Sequence, residues 1–299
     1  MSPRHLLLAL FVMMLWGVNF VVTRLALDHY APMLLVALRF GFAAIPCLFL
    51  PRPKVPMGRM LAISATMFIG TYVFLHLALF VGFPAGLSSV ALQIQGFLTI
   101  LIAAVVLGEK PGPAQIVGTL VAFCGLGVIA LATTNAGISP LAVGLLLASA
   151  LCWASGNVLM RGAGPYDSFS MVAWLSLIPP VPMVLVSLGF EGYGPVVQAL
   201  MATNWLDMAL LLYLSILSTI VGFGIWGQLL KTYPAGMVAP LTLLVPIVGA
   251  ASAALLLGEQ FGLFRILGMV LVLAGLAVVA FPVRRLPGWL RGTAGSSMD

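Results

Sequence analysis

Trp16, Asn19, Phe20 and Thr23 stand at i, i+3, i+4 and i+7 in a run of apolar residues, and Trp153, Gly156, Asn157 and Met160 repeat that spacing later in the chain. On a helix each set forms one face, where an indole and a carboxamide can stack on and hydrogen bond to a small polar molecule. Tyr72 and His76 share another face at i and i+4. Gln93 follows Ser89 by one turn, and its amide can donate to a carboxylate or accept from an ammonium group, which suits a zwitterion held without a fixed charge. Gln95, about 200° further round a regular helix, must point elsewhere. Trp153, Trp174 and Trp226 can contact an ammonium group or an apolar side chain. Arg39 can attract a carboxylate or tie helices together through backbone carbonyls. His76 has an unperturbed pKa near neutrality and can sense pH if water reaches it. Packing is the competing reading throughout, since Asn19, Asn157 and His76 can equally serve as hydrogen bonders between helices.

The elements that position these groups follow from composition. Of 299 residues 62% are hydrophobic and 7% charged, with a mean hydropathy of +1.19. Seven acids and 13 bases cannot cover a globule of this size with polar surface, so the outer face must meet lipid. Ten stretches are long enough to cross a bilayer as helices: 5–27, 32–50, 59–81, 84–107, 113–132, 140–160, 168–189, 206–229, 235–257 and 263–282. They are too continuously apolar for the strands of a membrane barrel. Arg4, Arg52, Lys54, Arg59, Lys110, Arg161, Lys231, Arg284, Arg285 and Arg291 fall on one side of this arrangement, against Arg24 and Arg265 on the other. That bias places both termini in the cytoplasm. The net charge of +6 therefore expresses orientation rather than nucleic-acid binding. The first stretch lacks a small-x-small cleavage site and is read as a span.

A repeat organises the spans. Pro84-Ala85-Gly86 recurs as Pro234-Ala235-Gly236, Leu107-Gly108-Glu109 as Leu257-Gly258-Glu259, and Gly118 and Gly125 as Gly268 and Gly275, all displaced by 150 residues. Near the N-terminus the offset is 137, Trp16–Arg24 being echoed by Trp153–Arg161, and a longer connection from Glu191 to Asp207 absorbs the difference. Five spans per copy is an odd number, so the second copy enters the membrane inverted. The expected fold is an all-α integral membrane protein of ten helices in two inverted five-helix repeats, 1–135 and 136–285, with a cytoplasmic tail at 286–299. Two such halves can exchange inward-open and outward-open states around a shared cavity, here formed by spans one, three, four, six, eight and nine.

Over essentially its whole length the chain resembles the EamA-type branch of the drug/metabolite transporter superfamily. The resemblance is carried by Trp16-Gly17-x-Asn19-Phe20, Arg39-Phe40, Pro84-Ala85-Gly86 running into Gln93, Gly108-Glu109, and the echoes through Pro234 and Gly258-Glu259. It implies a bacterial inner-membrane exporter of small amino acids or their metabolites, similar to the cysteine/O-acetylserine and aromatic amino acid branches. Substrate contacts are expected from Trp16, Asn19, Arg39, Tyr72, His76, Gln93, Trp153, Asn157 and Trp226. The expected partners are a small-molecule substrate and membrane lipid, with no nucleic acid, and the chain is expected to be a monomer or weak homodimer.

All seven acids lie at span ends, in loops or in the tail, which leaves no carboxylate relay and favours facilitated uniport. Proton-coupled export of a drug or metabolite, with His76 as carrier, is the alternative. An intramembrane enzyme finds no support, because His5, His29 and His76 are dispersed and no H-E-x-x-H stands in the chain. Cys47, Cys124 and Cys152 form no C-x-x-C pair, so neither metal nor cofactor is expected. No phosphate-binding G-x-x-x-x-G-K-[ST] loop supports ATP-driven pumping, and loops this short leave a receptor or scaffold little to contact. Glu109 and Glu259 are expected to cap or pair locally. Pro240 and Pro246 are expected to kink span nine.

Overall fold

The computed structural model describes residues 2–106, 108, 112–134, 138–161, 163–233, 241–242 and 244–280. Glu109, Lys110, the Pro234-Ala235-Gly236 run, Pro240, the basic residues Arg284, Arg285 and Arg291, and the tail lie outside the described residues.

Among the described residues the chain is helical without strands. The helices are α1 (Pro3–Ala26), α2 (Pro32–Leu48), α3 (Met57–Phe80), α4 (Ala85–Val106), α5 (Pro113–Thr134), α6 (Pro140–Arg161), α7 (Ser168–Phe190), α8 (Tyr193–Met201), α9 (Trp205–Leu229), α10 (Leu244–Leu257) and α11 (Leu263–Ala280). Six of them, α1, α3, α4, α6, α7 and α9, are long and apolar enough to cross a membrane, and α2, α5, α10 and α11 contain shorter apolar stretches. The short α8 fills the longer connection between Glu191 and Asp207.

Local chemistry fixes several helix starts. Proline opens α1, α2, α5 and α6, where its missing N–H costs nothing. The Asp167 carboxylate accepts from the Ser170 amide at 2.8 Å ahead of α7, and Asn204 with Asp207 forms a capping box ahead of α9. Large apolar side chains such as Val105 and Leu255 point outward, about 85% exposed, as a lipid-facing surface requires.

Packing follows the repeat. Helix α1 lies against α9 and α10, and α6, its counterpart, lies against α3 and α4. The most extensive contact joins α5 to α11. There a methyl group on Gly125 would lie 2.8 Å from the Gly268 carbonyl oxygen, and one on Gly275 would lie 2.5 Å from that of Gly118. Only glycine permits backbones this close. The early glycine of α5 meets the late one of α11 and the reverse, so the two helices run antiparallel. Gly108 and Gly258, 150 residues apart, also share a left-handed backbone, with φ of 68° and 66°.

Four departures from regular helix have physical consequences. Ser64–Gly70 in α3 and Tyr213–Val221 in α9 are π-helical, again at about the 150-residue offset. At each a threonine hydroxyl donates five residues back into the segment, Thr71 just after the first to the Thr66 carbonyl and Thr219 within the second to that of Leu214, stabilising the wide turn. Helix α4 breaks between Ala91 and Ile94, where the Gln93, Gln95 and Gly96 amides donate three residues back rather than four. Helix α7 breaks between Ser176 and Pro180, at Pro179-Pro180. Pro246 stands in the first turn of α10, where proline is tolerated, so it does not kink that helix internally.

The Glu259 carboxylate accepts from the amides of Ala85 and Gly86, at 2.7 and 3.1 Å, and so pins the start of α4 from 173 residues away rather than capping locally. Glu191 does the same for α2, accepting from the amides of Met33 and Leu34 at 2.6 and 3.1 Å. Each carboxylate supplies acceptors to a helix start that has none of its own.

Candidate functional site

The polar groups at mid-bundle converge because an apolar surround leaves them no other partner. The Trp16 indole donates to the Ser218 carbonyl at 3.1 Å, within the π-helical part of α9, and the Ser218 hydroxyl donates to Asn19 Oδ1 at 2.8 Å. Tyr213 completes this side by donating to the Leu15 carbonyl at 2.7 Å. On the opposite side Asn157 Nδ2 approaches Thr99 Oγ1 at 3.4 Å, tying α6 to α4. The Ser149 hydroxyl donates to the Thr71 carbonyl at 2.8 Å, tying α6 to the end of the π-helical segment in α3.

These contacts frame a cavity of about 490 Å³. Its wall includes Trp16 and Asn19 from α1, Tyr72 from α3, Gln93 from α4, Trp153 and Asn157 from α6, and Trp226 from α9. Phe223 stands at the centre of the aromatic part, its ring 5.2 Å from Trp16 and 5.7 Å from Trp153, while Trp16 meets Trp226 at 5.6 Å. Among the described residues of the wall none carries a charge. The surface offers carboxamides, hydroxyls and indole faces, a set that can hold a zwitterion or a neutral polar molecule. The volume falls within the ordinary range of small-molecule pockets, about 300–1,000 Å³.

The cavity extends towards one end of the bundle. Tyr166 and Ser168, in the α6–α7 connection and at the start of α7, belong to its wall, as do Gly227 late in α9 and Thr242 just before α10. At the opposite end Tyr30, Leu34, Leu79 and Phe83 are buried within one core cluster, and none of them lines the cavity. Tyr30 hydrogen bonds to Thr203 at 2.8 Å there.

Two expected contact residues stand behind the wall. Arg39 is 1% exposed, with its guanidinium on Thr219 and under the Tyr72 ring. His76 is 0% exposed, its Nδ1 donates to the Pro32 carbonyl at 3.5 Å, and its ring meets Tyr72 edge-on. No part of His76 is exposed to solvent in this arrangement. Trp174 lies away from the cavity and donates to the Leu50 carbonyl at 3.1 Å.

Other wall residues escape the sequence reading. Gln95 joins Gln93 in the wall, because the broken turn of α4 does not keep the 100° step that separates them on a regular helix. Phe223, three residues before Trp226, has the i, i+3 spacing that also relates Trp16 to Asn19. Ser168, Met171 and Val172 bring α7 into the wall, beyond the six spans expected, and Leu276 of α11 also reaches it.

The EamA-like transporter family model matches the chain twice, over residues 4–131 and 140–281. A protein of Salmonella typhimurium named "Probable amino-acid metabolite efflux pump" is 41% identical over 95% of this chain and 97% of its own length. The Escherichia coli protein of the same name is 39% identical over the same shares. A crystal structure covering 95% of this chain and 100% of its own matches with a TM-score of 0.62 at 18% identity, which supports the fold. Matched twice by the family model and sharing about two residues in five with these relatives along nearly its full length, the chain belongs to the EamA-like transporter family.

Proposed function

We propose that the chain exports small amino acids or their metabolites across a bacterial inner membrane by alternating access, as a facilitative uniporter. In this reading ten helices cross the membrane as two inverted halves, 1–135 and 136–285, with both termini cytoplasmic. The observation that carries it is a cavity of about 490 Å³, framed by the matching faces of α1 and α6, whose described wall residues carry no charge. The names of the 39–41% identical relatives supply the substrate class. The crosswise pairing of Gly125 with Gly268 and of Gly118 with Gly275 supports the inversion, because a two-fold axis in the membrane plane exchanges these two contacts.

The end towards which the cavity extends holds Tyr166, Ser168 and Thr242, which follow Arg161 and Lys231 in the chain, and the positive-inside bias assigns those two cations to the cytoplasm. The arrangement is then inward-open, with the periplasmic end shut and Glu191 and Glu259 pinning helix starts there. Among the described acids, Asp28, Asp167, Glu191, Asp207 and Glu259, none lines the cavity, and this supports uniport over a carboxylate-driven pump. The second reading, proton coupling, is favoured by one observation, that His76 Nε2 is buried without a partner.

Flux of labelled polar, basic and aromatic amino acids in proteoliposomes tests the proposal. Gln93→Ala and Trp226→Ala are expected to raise KM for a carried amino acid about five- to thirtyfold, the loss of one amide bond or one desolvated indole contact, about 1–2 kcal/mol. Both variants should still insert in the membrane. Unchanged flux in both moves the site elsewhere.

A further inference from the structure

We propose that Arg39 is the anchor for the carboxylate of the transported molecule, and that Tyr72 covers it in the arrangement described. The proposal rests on the transport reading of the cavity and narrows it to carboxylate-bearing substrates.

The guanidinium of Arg39 has five N–H donors and too few acceptors. Its Nε and Nη2 both reach the single oxygen Thr219 Oγ1 at 3.2 Å, and Nη2 is 3.4 Å from the Tyr72 hydroxyl. Nη1 is buried without a hydrogen-bond partner. No ion pair to Arg39 is present among the described residues. Beside those two hydroxyls, what faces its charge among the described residues is aromatic, with Cζ 4.2 Å from the Tyr72 ring centroid and 6.0 Å from that of Phe40. A residue that merely ties α2 to α3 and α9 has no need of a charge, because a neutral amide bridges two hydroxyls without the desolvation cost of a buried guanidinium. The missing partner is an anion, and the fork of an arginine fits a carboxylate in two parallel bonds.

Tyr72 connects this cation to the cavity. It belongs to the wall and also lies over the guanidinium, so at this point the wall is one side chain thick. It stands two residues after the π-helical segment Ser64–Gly70, while Thr219, the other holder of Arg39, lies inside the segment Tyr213–Val221. A π turn carries one residue more than an α turn, and its migration along a helix turns the residues it passes by about 100°. Both holders are thus placed where a change of register can withdraw them. With Tyr72 turned aside, a carboxylate in the cavity reaches Nη1 and Nη2, and its ammonium group remains among the indoles and carboxamides of Trp16, Asn19 and Asn157.

The test is transport by the full-length chain in proteoliposomes, using two matched pairs: L-serine with ethanolamine, and L-phenylalanine with phenethylamine. The expected wild-type result is that an amino acid is carried while its amine, which lacks only the carboxylate, competes at least tenfold more weakly. Arg39→Gln should raise KM for the amino acid at least tenfold and leave the weak amine competition within twofold. Arg39→Lys, which keeps a charge but not the fork, should fall between. Should Arg39→Gln fail to reach the membrane, Arg39→Lys decides by the same KM comparison. Equal competition by amine and amino acid, or an unchanged KM in the variants, overturns the anchor while leaving transport intact. Absence of flux for every amino acid in the wider panel removes the transport reading itself.

Discussion

Asn19 shows how one side chain serves both structure and site. Its Oδ1 accepts from Ser218 and so ties α1 to α9, yet it also stands in the cavity wall. Asn19→Ala leaves the Ser218 hydroxyl without that acceptor in an apolar surround, so thermal unfolding in detergent should show a loss of about 1 kcal/mol together with reduced flux. Asn157→Ala, which gives up only the long 3.4 Å approach to Thr99, should lower flux with little loss of stability. Equal stability losses would mean that both amides are glue alone. The sequence reading reached these residues through one rule, that a polar or aromatic group in an apolar helix must face protein or cavity. That rule has no term for depth, which is why it treats Arg39 and His76 like Tyr72. Phe223 was missed because an aromatic side chain in an apolar run carries no contrast with its neighbours.

At the scale of elements, the glycine pattern was legible because its spacing repeats, and the structure puts those glycines backbone to backbone. The π-helical segments were not, since a single extra residue in a turn leaves no periodic trace in a run that is apolar on every side. The break in α4 was also hidden, as neither proline nor glycine lies between Ala91 and Ile94. Gly275→Val should disrupt the α5–α11 contact, because the added Cβ meets the Gly118 carbonyl, with a destabilisation of about 3 kcal/mol or more. Surface Gly189→Ala, which meets nothing within 4 Å, serves as the control. Glu259 makes a prediction about pH. Burial raises its pKa above the ordinary carboxylate value, against the downward pull of the Ala85 and Gly86 amides and of Arg265. The folded chain therefore holds that proton more tightly than the unfolded chain, and stability falls as pH rises from the ordinary carboxylate range through the raised value. Glu259→Gln should flatten this slope in thermal melts, and an unaltered slope would assign it to other groups.

For the whole molecule, composition and repeat together made the membrane class and the two-copy plan legible. The end towards which the cavity extends was not, because in the proposed inverted arrangement either end is available and only packing chooses. The choice can be tested in a chain whose three cysteines are replaced by alanine. A new cysteine at Tyr166 should react with an impermeant maleimide from the cytoplasmic face at least tenfold faster than one at Phe83 reacts from outside. The reverse order would assign the structure to the outward-open state. The central claim is that an uncharged cavity moves a zwitterion down its own gradient, and counterflow of labelled amino acid in proteoliposomes clamped at equal pH with a protonophore tests it most directly. The account predicts counterflow undiminished by the clamp. Loss of counterflow when the pH gradient is abolished, with flux restored by imposing one, would contradict it.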